Sequence, residues 1–229
     1  MGAALVALLG TLALVYAVPA TAQSDPESDR AWVQHALALQ YELADDVPLR
    51  NTPWVSTHNS FNSQAEMGPA LSAQDPNQQI TLVDQLEEGV RHLELDPHFF
   101  LSPTDPRVGL EGPVVCHAAD ADAGCTVEKS LLAVMRQIRG WLDAHRDQVV
   151  MLYFDTHLDS PAEHDATADV LEATVGDRLW RPPSAGASCD PLPLELTGAQ
   201  ILAAGEQVLM FGPCGQGAKW QSAVFDERR

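Results

Sequence analysis

Two histidines, two carboxylates and a side-chain amide occur in three short segments that each have the pattern of a strand end. The segments are 57–60 (Thr-His-Asn-Ser), 93–96 (Leu-Glu-Leu-Asp) and 114–117 (Val-Val-Cys-His). If the three strands belong to one parallel sheet, their carboxyl ends share a rim and these side chains meet there. Two imidazoles beside a site for a hard cation are suited to acid–base cleavage of a phosphodiester.

Each of these residues also has an ordinary structural explanation. A histidine beside a strand is more often packed or hydrogen-bonded than catalytic, and Asn59 is a common turn residue. Glu94 and Asp96 alternate onto one face of a strand, where Arg91 is a candidate ion-pair partner. Carboxylates on a buried strand need partners, however, and a divalent cation supplies one. Asp155 follows a continuous apolar run and is hard to explain as a surface residue.

Segments with strand and helix character alternate along the chain, which indicates an α/β fold. The predicted strands are 52–57, 90–95, 114–115, 148–154 and 207–211. The predicted helices are 32–43, 80–88, 127–142 (capped by Thr126), 163–175 and 197–204. Reactive residues at several strand ends are typical of a TIM-type (β/α) barrel, but only about five of its eight strands are found. We therefore expect a barrel that is incomplete at the C-terminus, and interpret the chain as a fragment.

The charge balance limits the classes of partner. The chain has 229 residues, 32 of them acidic and 13 basic, for a net charge of −19. This charge argues against nucleic acid, which needs a basic footprint, and against simple electrostatic adsorption to anionic lipid. Most of the acidic residues are explained by solubility or adaptation to a salty medium.

The N-terminus carries an export pattern. An apolar run at 3–18 precedes Ala20-x-Ala22, which predicts a signal peptide at 1–22 that is cleaved before Gln23. An uncleaved anchor is the alternative, although the run is short for a bilayer span. A flexible tail at 23–30 and a catalytic domain at 31–229 are expected to follow, and the protein is predicted to be secreted.

Export bears on the four cysteines. An even number in an oxidising compartment predicts two disulfides, with three possible connectivities. Pairing of near neighbours, Cys116 with Cys125 and Cys189 with Cys214, is the simplest. A zinc site is the alternative, but the chain has no C-x-x-C pair.

The ordered motifs resemble those of phosphatidylinositol-specific phospholipase C and related phosphodiesterases. Segment 57–61 (Thr-His-Asn-Ser-Phe) is similar to the first histidine motif of that family, and 115–117 to the second. Segment 84–96 is similar to its QL–GVR–L–LD segment. Further similarity at 141–150 and 194–211 extends the resemblance over about 53–211, nearly all of the predicted mature chain.

The resemblance implies a TIM-type barrel with His58 and His117 as catalytic residues. In the calcium-dependent branch an Asn after the first histidine and three acids bind the metal, and Asn59, Glu94, Asp96 and Asp155 match them. In the metal-independent branch an Arg replaces the cation, and 93–96 offers none. Calcium, or another divalent cation, is therefore the expected cofactor.

In this reading His117 protonates the leaving oxygen, and the general base is left open between His58, Glu94 and Asp155. The expected substrate is a phospholipid or a soluble phosphodiester. We expect a monomer with transient membrane-surface contact and no nucleic-acid partner.

Two other classes of function compete with this one. Glycerophosphodiesterase and sphingomyelinase-D-like barrels also use two acids and two histidines, but they favour His-Arg-Gly where this chain has His58-Asn59-Ser60. A secreted pseudoenzyme that keeps the fold for binding is the non-catalytic alternative. A generic disulfide-stabilised binding module explains neither the histidine pair nor the acids on a buried strand.

Overall fold

The computed structural model describes residues 26–67, 76–101, 111–117 and 129–228. Its strands are β1 (Ser56–Thr57), β2 (His92–Leu95), β3 (Pro97–Leu101), β4 (Glu111–Val115), β5 (Lys129–Ser130), β6 (Val150–Phe154), β7 (Val208–Gly212) and β8 (Phe225–Asp226). Its helices are α1 (Pro26–Ala44), α2 (Gln64–Met67), α3 (Leu82–Glu87), α4 (Leu131–Ala144), α5 (Pro161–Val175), α6 (Gly198–Ala203) and α7 (Ala218–Gln221). Short 3-10 helices lie at Leu49–Asn51 and Gly176–Arg178.

Five strands form one parallel sheet in the order β1-β2-β6-β7-β8. Within the described residues the two edge strands do not pair with each other, so the sheet is an open part of a barrel. The α/β architecture and the incomplete TIM-type barrel predicted from the sequence are confirmed.

The strands form where the sequence allows burial on both faces of the sheet. Along β6, Leu152 and Phe154 pack into the core cluster that contains α4 and α5 residues, whereas Met151 packs into the cluster on the opposite face. A near-continuous apolar strand is what such two-sided burial requires. The same alternation in β2 buries Leu93 and Leu95 under the helices. It thereby directs Glu94 to the inner, concave face.

The helices begin and end at residues suited to those positions. Thr81 caps α3 by accepting from the Asp84 backbone N–H, and Ser160 caps α5 in the same way from Glu163. After α3 the chain turns at Gly89, whose φ of 98° favours glycine. Its missing side chain also admits Leu37 of α1, whose Cδ1 would lie 2.6 Å from a Cβ at this position.

The third predicted strand is not part of the parallel sheet. It belongs to β4, which pairs with β3 and β5 in a three-stranded antiparallel sheet. A parallel crossover needs a long connection, usually a helix, and here β3 follows β2 directly and pairs antiparallel with β4. The fifth strand of the parallel sheet is instead β8, which was not predicted.

Two boundary predictions were also wrong. Helix α4 begins at Leu131, because Lys129 and Ser130 pair with β4 as β5; the predicted cap Thr126 lies outside the described residues. Helix α1 begins at Pro26, inside the predicted flexible tail 23–30. Glu27 and Asp29 in its first turn favour a helix N-terminus, which explains why helix extends into this polar segment.

The predicted Cys189–Cys214 disulfide is present, with Cα atoms 5.8 Å apart. Cys116 is also disulfide-bonded, and its predicted partner Cys125 lies outside the described residues. The predicted signal peptide 1–22 is outside them too. Among the helices that are described, none is long and apolar enough to cross a membrane.

Candidate active site

The end of β1 turns sharply and holds its polar residues against β2. Asn59 has a φ of 46°, a left-handed conformation that Asn tolerates better than most residues. Ser60 fixes the turn: its hydroxyl donates to the Thr57 carbonyl and accepts from the Glu94 backbone N–H at 2.9 Å. The buried Gln85 side chain donates to the Ser60 carbonyl at 2.9 Å. The 84–96 motif therefore supports the histidine motif directly.

The two candidate histidines face each other across a short gap. The ring centroids of His58 and His117 are 6.5 Å apart with an interplanar angle of 80°. Both side chains are exposed to solvent. His117 reaches the site from the antiparallel sheet, because the Cys116 backbone N–H donates to the Asp96 carbonyl at 3.2 Å and ties the end of β4 to the end of β2. His58, Asp96 and Asp155 thus follow strands of the parallel sheet, whereas His117 follows a strand of the antiparallel sheet.

Glu94, Asp96 and the exposed Asp155 place three carboxylates at the carboxyl ends of β2 and β6. Glu94 Oε1 is 3.8 Å from His58 Nε2. Asp96 is only 4% exposed. Burial, followed by the charges of Glu94 and Asp155, raises the pKa of Asp96 to about 8. Burial also raises the pKa of Glu94, partly offset by His58. The end of β6 adds Asp155, whose backbone N–H donates to the Leu95 carbonyl at 3.1 Å.

Asn59 and Asp96 are in direct contact, and the amide has two meaningful orientations. With its NH2 group toward Asp96, Asn59 donates to Oδ2 at 2.6 Å and to Oδ1 at 3.0 Å. With the amide reversed, its oxygen lies beside the Asp96 oxygens and its nitrogen is 3.4 Å from Asn77 Oδ1. The second orientation gathers oxygen atoms from both residues, as a cation site needs.

The donor set fits a hard cation in its chemistry. The four predicted ligands offer carboxylate and amide oxygens, and burial, followed by neighbouring acidic charges, raises the pKa values of Glu94 and Asp96. Among the described residues, no group of three or more His, Cys, Asp or Glu side chains is gathered closely enough to form a ready-made metal centre. The carboxylates would have to draw closer around a bound ion.

Two asparagines near the histidines were not predicted from the sequence. Asn77 Nδ2 is 3.2 Å from His58 Nδ1, and Asn62 Nδ2 is 3.3 Å from His117 Nδ1. Asn62 also donates to Asn77 Oδ1 at 2.6 Å. Asn62 follows the first histidine motif by one residue, but Asn77 lies in a polar segment with no local pattern that indicates its role.

Two basic side chains, Arg91 and Lys129, make structural contacts. Arg91 does not pair with Glu94 or Asp96; its guanidinium bonds to Gln148 and to backbone carbonyls at the other end of β2. Lys129 donates to the Phe61 carbonyl at 2.8 Å and to Glu66 at 2.7 Å, so its contacts hold a loop.

Solved structures share this fold. The phosphatidylinositol-specific phospholipase C from Listeria monocytogenes matches with a TM-score of 0.51 and 16% identity, covering 74% of this chain and 54% of that one. A phosphatidylinositol-specific phospholipase C from S. aureus matches with a TM-score of 0.52 and 16% identity, covering 80% and 54%. At this identity the likeness concerns the fold alone. The parallel strands and these matches define a phosphatidylinositol phospholipase C-like fold.

The sequence comparisons narrow this class to one family. The model described as the Rv2075c PI-PLC-like domain matches residues 12–229, and the chain belongs to that family. The uncharacterized protein Rv2075c of Mycobacterium tuberculosis is 40% identical over 213 residues, which are 86% of this chain and 42% of that protein. A PI-PLC X domain-containing protein of Arabidopsis thaliana is 24% identical over 170 residues, covering 72% and 36%. The chain thus spans less than half the length of these relatives.

Proposed function

We propose that this chain is a phosphoric diester hydrolase that cleaves the head group of a glycerophospholipid, in the manner of a phosphatidylinositol phospholipase C. The observation that carries the proposal is the pair of imidazoles, His58 and His117, whose ring centroids are 6.5 Å apart. They lie at the strand ends that also carry Glu94, Asp96 and Asp155. Family membership supports the reaction class, and the contacts of this chain supply the residues for it.

The proposed reaction divides acid and base between the two sides of the gap. His117 protonates the departing glycerol oxygen. His58 lies on the other side, within 3.8 Å of Glu94, and contacts the phosphoryl group. A carboxylate or His58 accepts the proton of the attacking hydroxyl. The products are diacylglycerol and a cyclic inositol phosphate.

We propose calcium, or another divalent cation, as the cofactor. Asn59, Glu94, Asp96 and Asp155 would hold it. The chemistry that calcium would supply there is a lower pKa for the attacking hydroxyl and compensation of the charge on the phosphoryl group. The raised pKa of Asp96 supports this proposal, because burial, and then the charges of Glu94 and Asp155, disfavour its ionised form until a positive partner is bound.

Secretion remains part of the proposal. The export pattern at 1–22 and the Cys189–Cys214 disulfide both favour an oxidising compartment outside the cytoplasm. A monomer that contacts the lipid surface transiently is the expected working form.

A head-group assay tests the proposal. The full chain is incubated with phosphatidylinositol, lysophosphatidylcholine and sphingomyelin, each with calcium or with a chelator. We expect diacylglycerol and cyclic inositol phosphate from phosphatidylinositol, and only with calcium. Release of free choline would instead favour the sphingomyelinase-D-like alternative. No turnover of any substrate with metal present would contradict catalysis and favour a pseudoenzyme.

A further inference from the structure

The two asparagine amides link the two histidines into one chain of hydrogen bonds. It runs from His58 Nδ1 to Asn77 Nδ2 (3.2 Å), from Asn77 Oδ1 to Asn62 Nδ2 (2.6 Å), and from Asn62 Nδ2 to His117 Nδ1 (3.3 Å). We call Asn62 and Asn77 the amide pair.

The backbone fixes the amide pair in place. The Asn77 backbone N–H donates to the Asn62 carbonyl at 3.1 Å, and Ser63 and Gln78 form a β-bridge beside them. The Gln78 side chain donates to the His58 carbonyl at 2.6 Å. The segment that carries Asn77 is therefore attached to both the histidine turn and the Asn62 backbone, and the amides are held where they meet the imidazoles.

The chemistry of amides couples the two imidazoles. Each amide has one donor end and one acceptor end. Reversing Asn62 alone would set its oxygen against Asn77 Oδ1, and reversing Asn77 alone would set nitrogen against nitrogen. Two arrangements satisfy the three contacts of this chain of hydrogen bonds: both Nδ1 atoms accept from an amide, or both Nδ1–H groups donate to one. The tautomers of His58 and His117 must therefore change together.

The surroundings of His58 Nε2 agree with one of these two arrangements. Glu94 Oε1 lies 3.8 Å from Nε2, which is beyond hydrogen-bond distance, so its oxygen favours an N–H at Nε2 only by the attraction of opposite partial charges. This is the arrangement in which both Nδ1 atoms accept.

We propose that Asn62 and Asn77 are positioning residues that hold both histidines as the coupled Nε2–H tautomer. One consequence rests on the proposed function: in the resting protein, neutral His58 presents its Nε2–H group to the phosphoryl oxygen. His117 acts as general acid only after it takes up a second proton at Nδ1, and that proton requires Asn62, and with it Asn77, to turn.

Nitrogen NMR of the metal-free protein tests the tautomers without relying on activity. The full chain is labelled with ¹⁵N-histidine and studied with chelator at about pH 8, above the reference value for a free imidazole. The signals are assigned by their loss in His58→Gln and His117→Gln. We expect a pyridine-type Nδ1 and a pyrrole-type Nε2 for both rings. A protonated Nδ1 on either ring overturns the proposal.

Two nearly isosteric variants test the coupling. In Asn77→Asp one oxygen still accepts from Asn62 and the other faces His58, so only the tautomer of His58 reverses. In Asn62→Asp the new carboxylate needs a donor from Asn77, so the Asn77 amide turns. The tautomers of both His58 and His117 then reverse. Asn62 is linked to His58 through Asn77, and an unchanged His58 signal in Asn62→Asp overturns the coupling. Asn51→Asp, the same change at an exposed and distant site, is the matched control and leaves both signals as in wild type.

Kinetics separates this inference from the proposed function. If both hold, Asn62→Asp and Asn77→Asp lower kcat about 10–100-fold with little change in KM, as loss of an orienting partner does elsewhere. Unchanged kcat in both variants overturns the catalytic role of the amide pair. A wild-type protein with the expected tautomers and no turnover overturns the proposed function alone.

Discussion

The two ends of the parallel sheet differ in how their charged side chains are paired. At the amino end Arg91 donates to Gln148 Oε1 at 2.9 Å and to the Leu86 and Val90 carbonyls, and its guanidinium lies 4.5 Å from the Trp141 ring centroid. At the carboxyl end burial, followed by neighbouring charges, raises the pKa values of Glu94 and Asp96. The amino end therefore pairs its charge with contacts that stabilise the fold, whereas the carboxyl end holds carboxylates whose ionised forms are disfavoured.

This difference implies that substitutions at the two ends of the sheet affect different properties of the protein. Substitutions at the amino end should cost stability and leave the chemistry of the folded molecule intact. Substitutions at the carboxyl end should remove catalysis at little cost in stability, or even with a gain, as for sites that trade stability for function.

The largest effect is expected for His117→Ala. Removing the proposed general acid should lower turnover of phosphatidylinositol by about 10²–10⁴-fold. The side chain is exposed, so the free energy of unfolding in urea should change by less than about 0.5 kcal/mol. His35→Ala, an exposed histidine on α1, is the matched control and should change neither quantity. Full activity in His117→Ala would place the acid elsewhere.

The sequence indicated those parts of the site that depend on local pattern. The apolar run before Asp155, the alternation of Glu94 and Asp96 and the motif around His58 each identify a strand end within a few residues. The route of His117 was not predictable in this way, because no local signal distinguishes a strand of a hairpin from one of a parallel sheet when both are short and apolar.

The amide pair was not predicted for a related reason. Asn62 and Asn77 are 15 residues apart in the sequence, and they meet because Asn77 and Gln78 lie against the histidine turn. Strand β8 was missed because its two residues are too few to show a period. Contacts set by chain return and by sheet edges lie beyond what a local pattern contains.

Arg91→Ala at the amino end should give the next largest effect. It removes the guanidinium donors from Gln148 and from the Leu86 and Val90 carbonyls, and it removes the stacking on Trp141, so the free energy of unfolding should fall by about 2–4 kcal/mol. Urea unfolding followed by tryptophan fluorescence measures this loss. Turnover per folded molecule should stay within about twofold of wild type, because Arg91 lies at the opposite end of β2 from the histidines. A twofold change in rate corresponds to well under 1 kcal/mol.

Arg91→Lys sharpens the same test. Lysine keeps the charge but has no planar fork, so it should recover only part of the loss. A fall in turnover of folded Arg91→Ala comparable to that of His117→Ala would show that the two ends are not separable.

The smallest effect, and the one of opposite sign, is expected for Asp96→Asn in the metal-free protein. The folded-state pKa of Asp96 is about 8, above its ordinary value of 3.8. For a carboxyl with a raised pKa, the stabilising contribution is full below the unfolded-state value and is lost as pH rises through the folded-state value. With chelator present, wild-type stability should therefore fall between about pH 4 and about pH 8.

Asp96→Asn removes that titration, so its free energy of unfolding at about pH 8 should exceed that of wild type by about 1–3 kcal/mol, with little difference at about pH 4. Asp159→Asn, an exposed aspartate, is the control and should follow wild type at both pH values. Calcium should raise the melting temperature of wild type, because it binds only the folded site, and should not raise that of Asp96→Asn. A variant less stable than wild type at about pH 8 would mean that Asp96 is already satisfied within the chain, and the contrast between the two ends of the sheet would not hold.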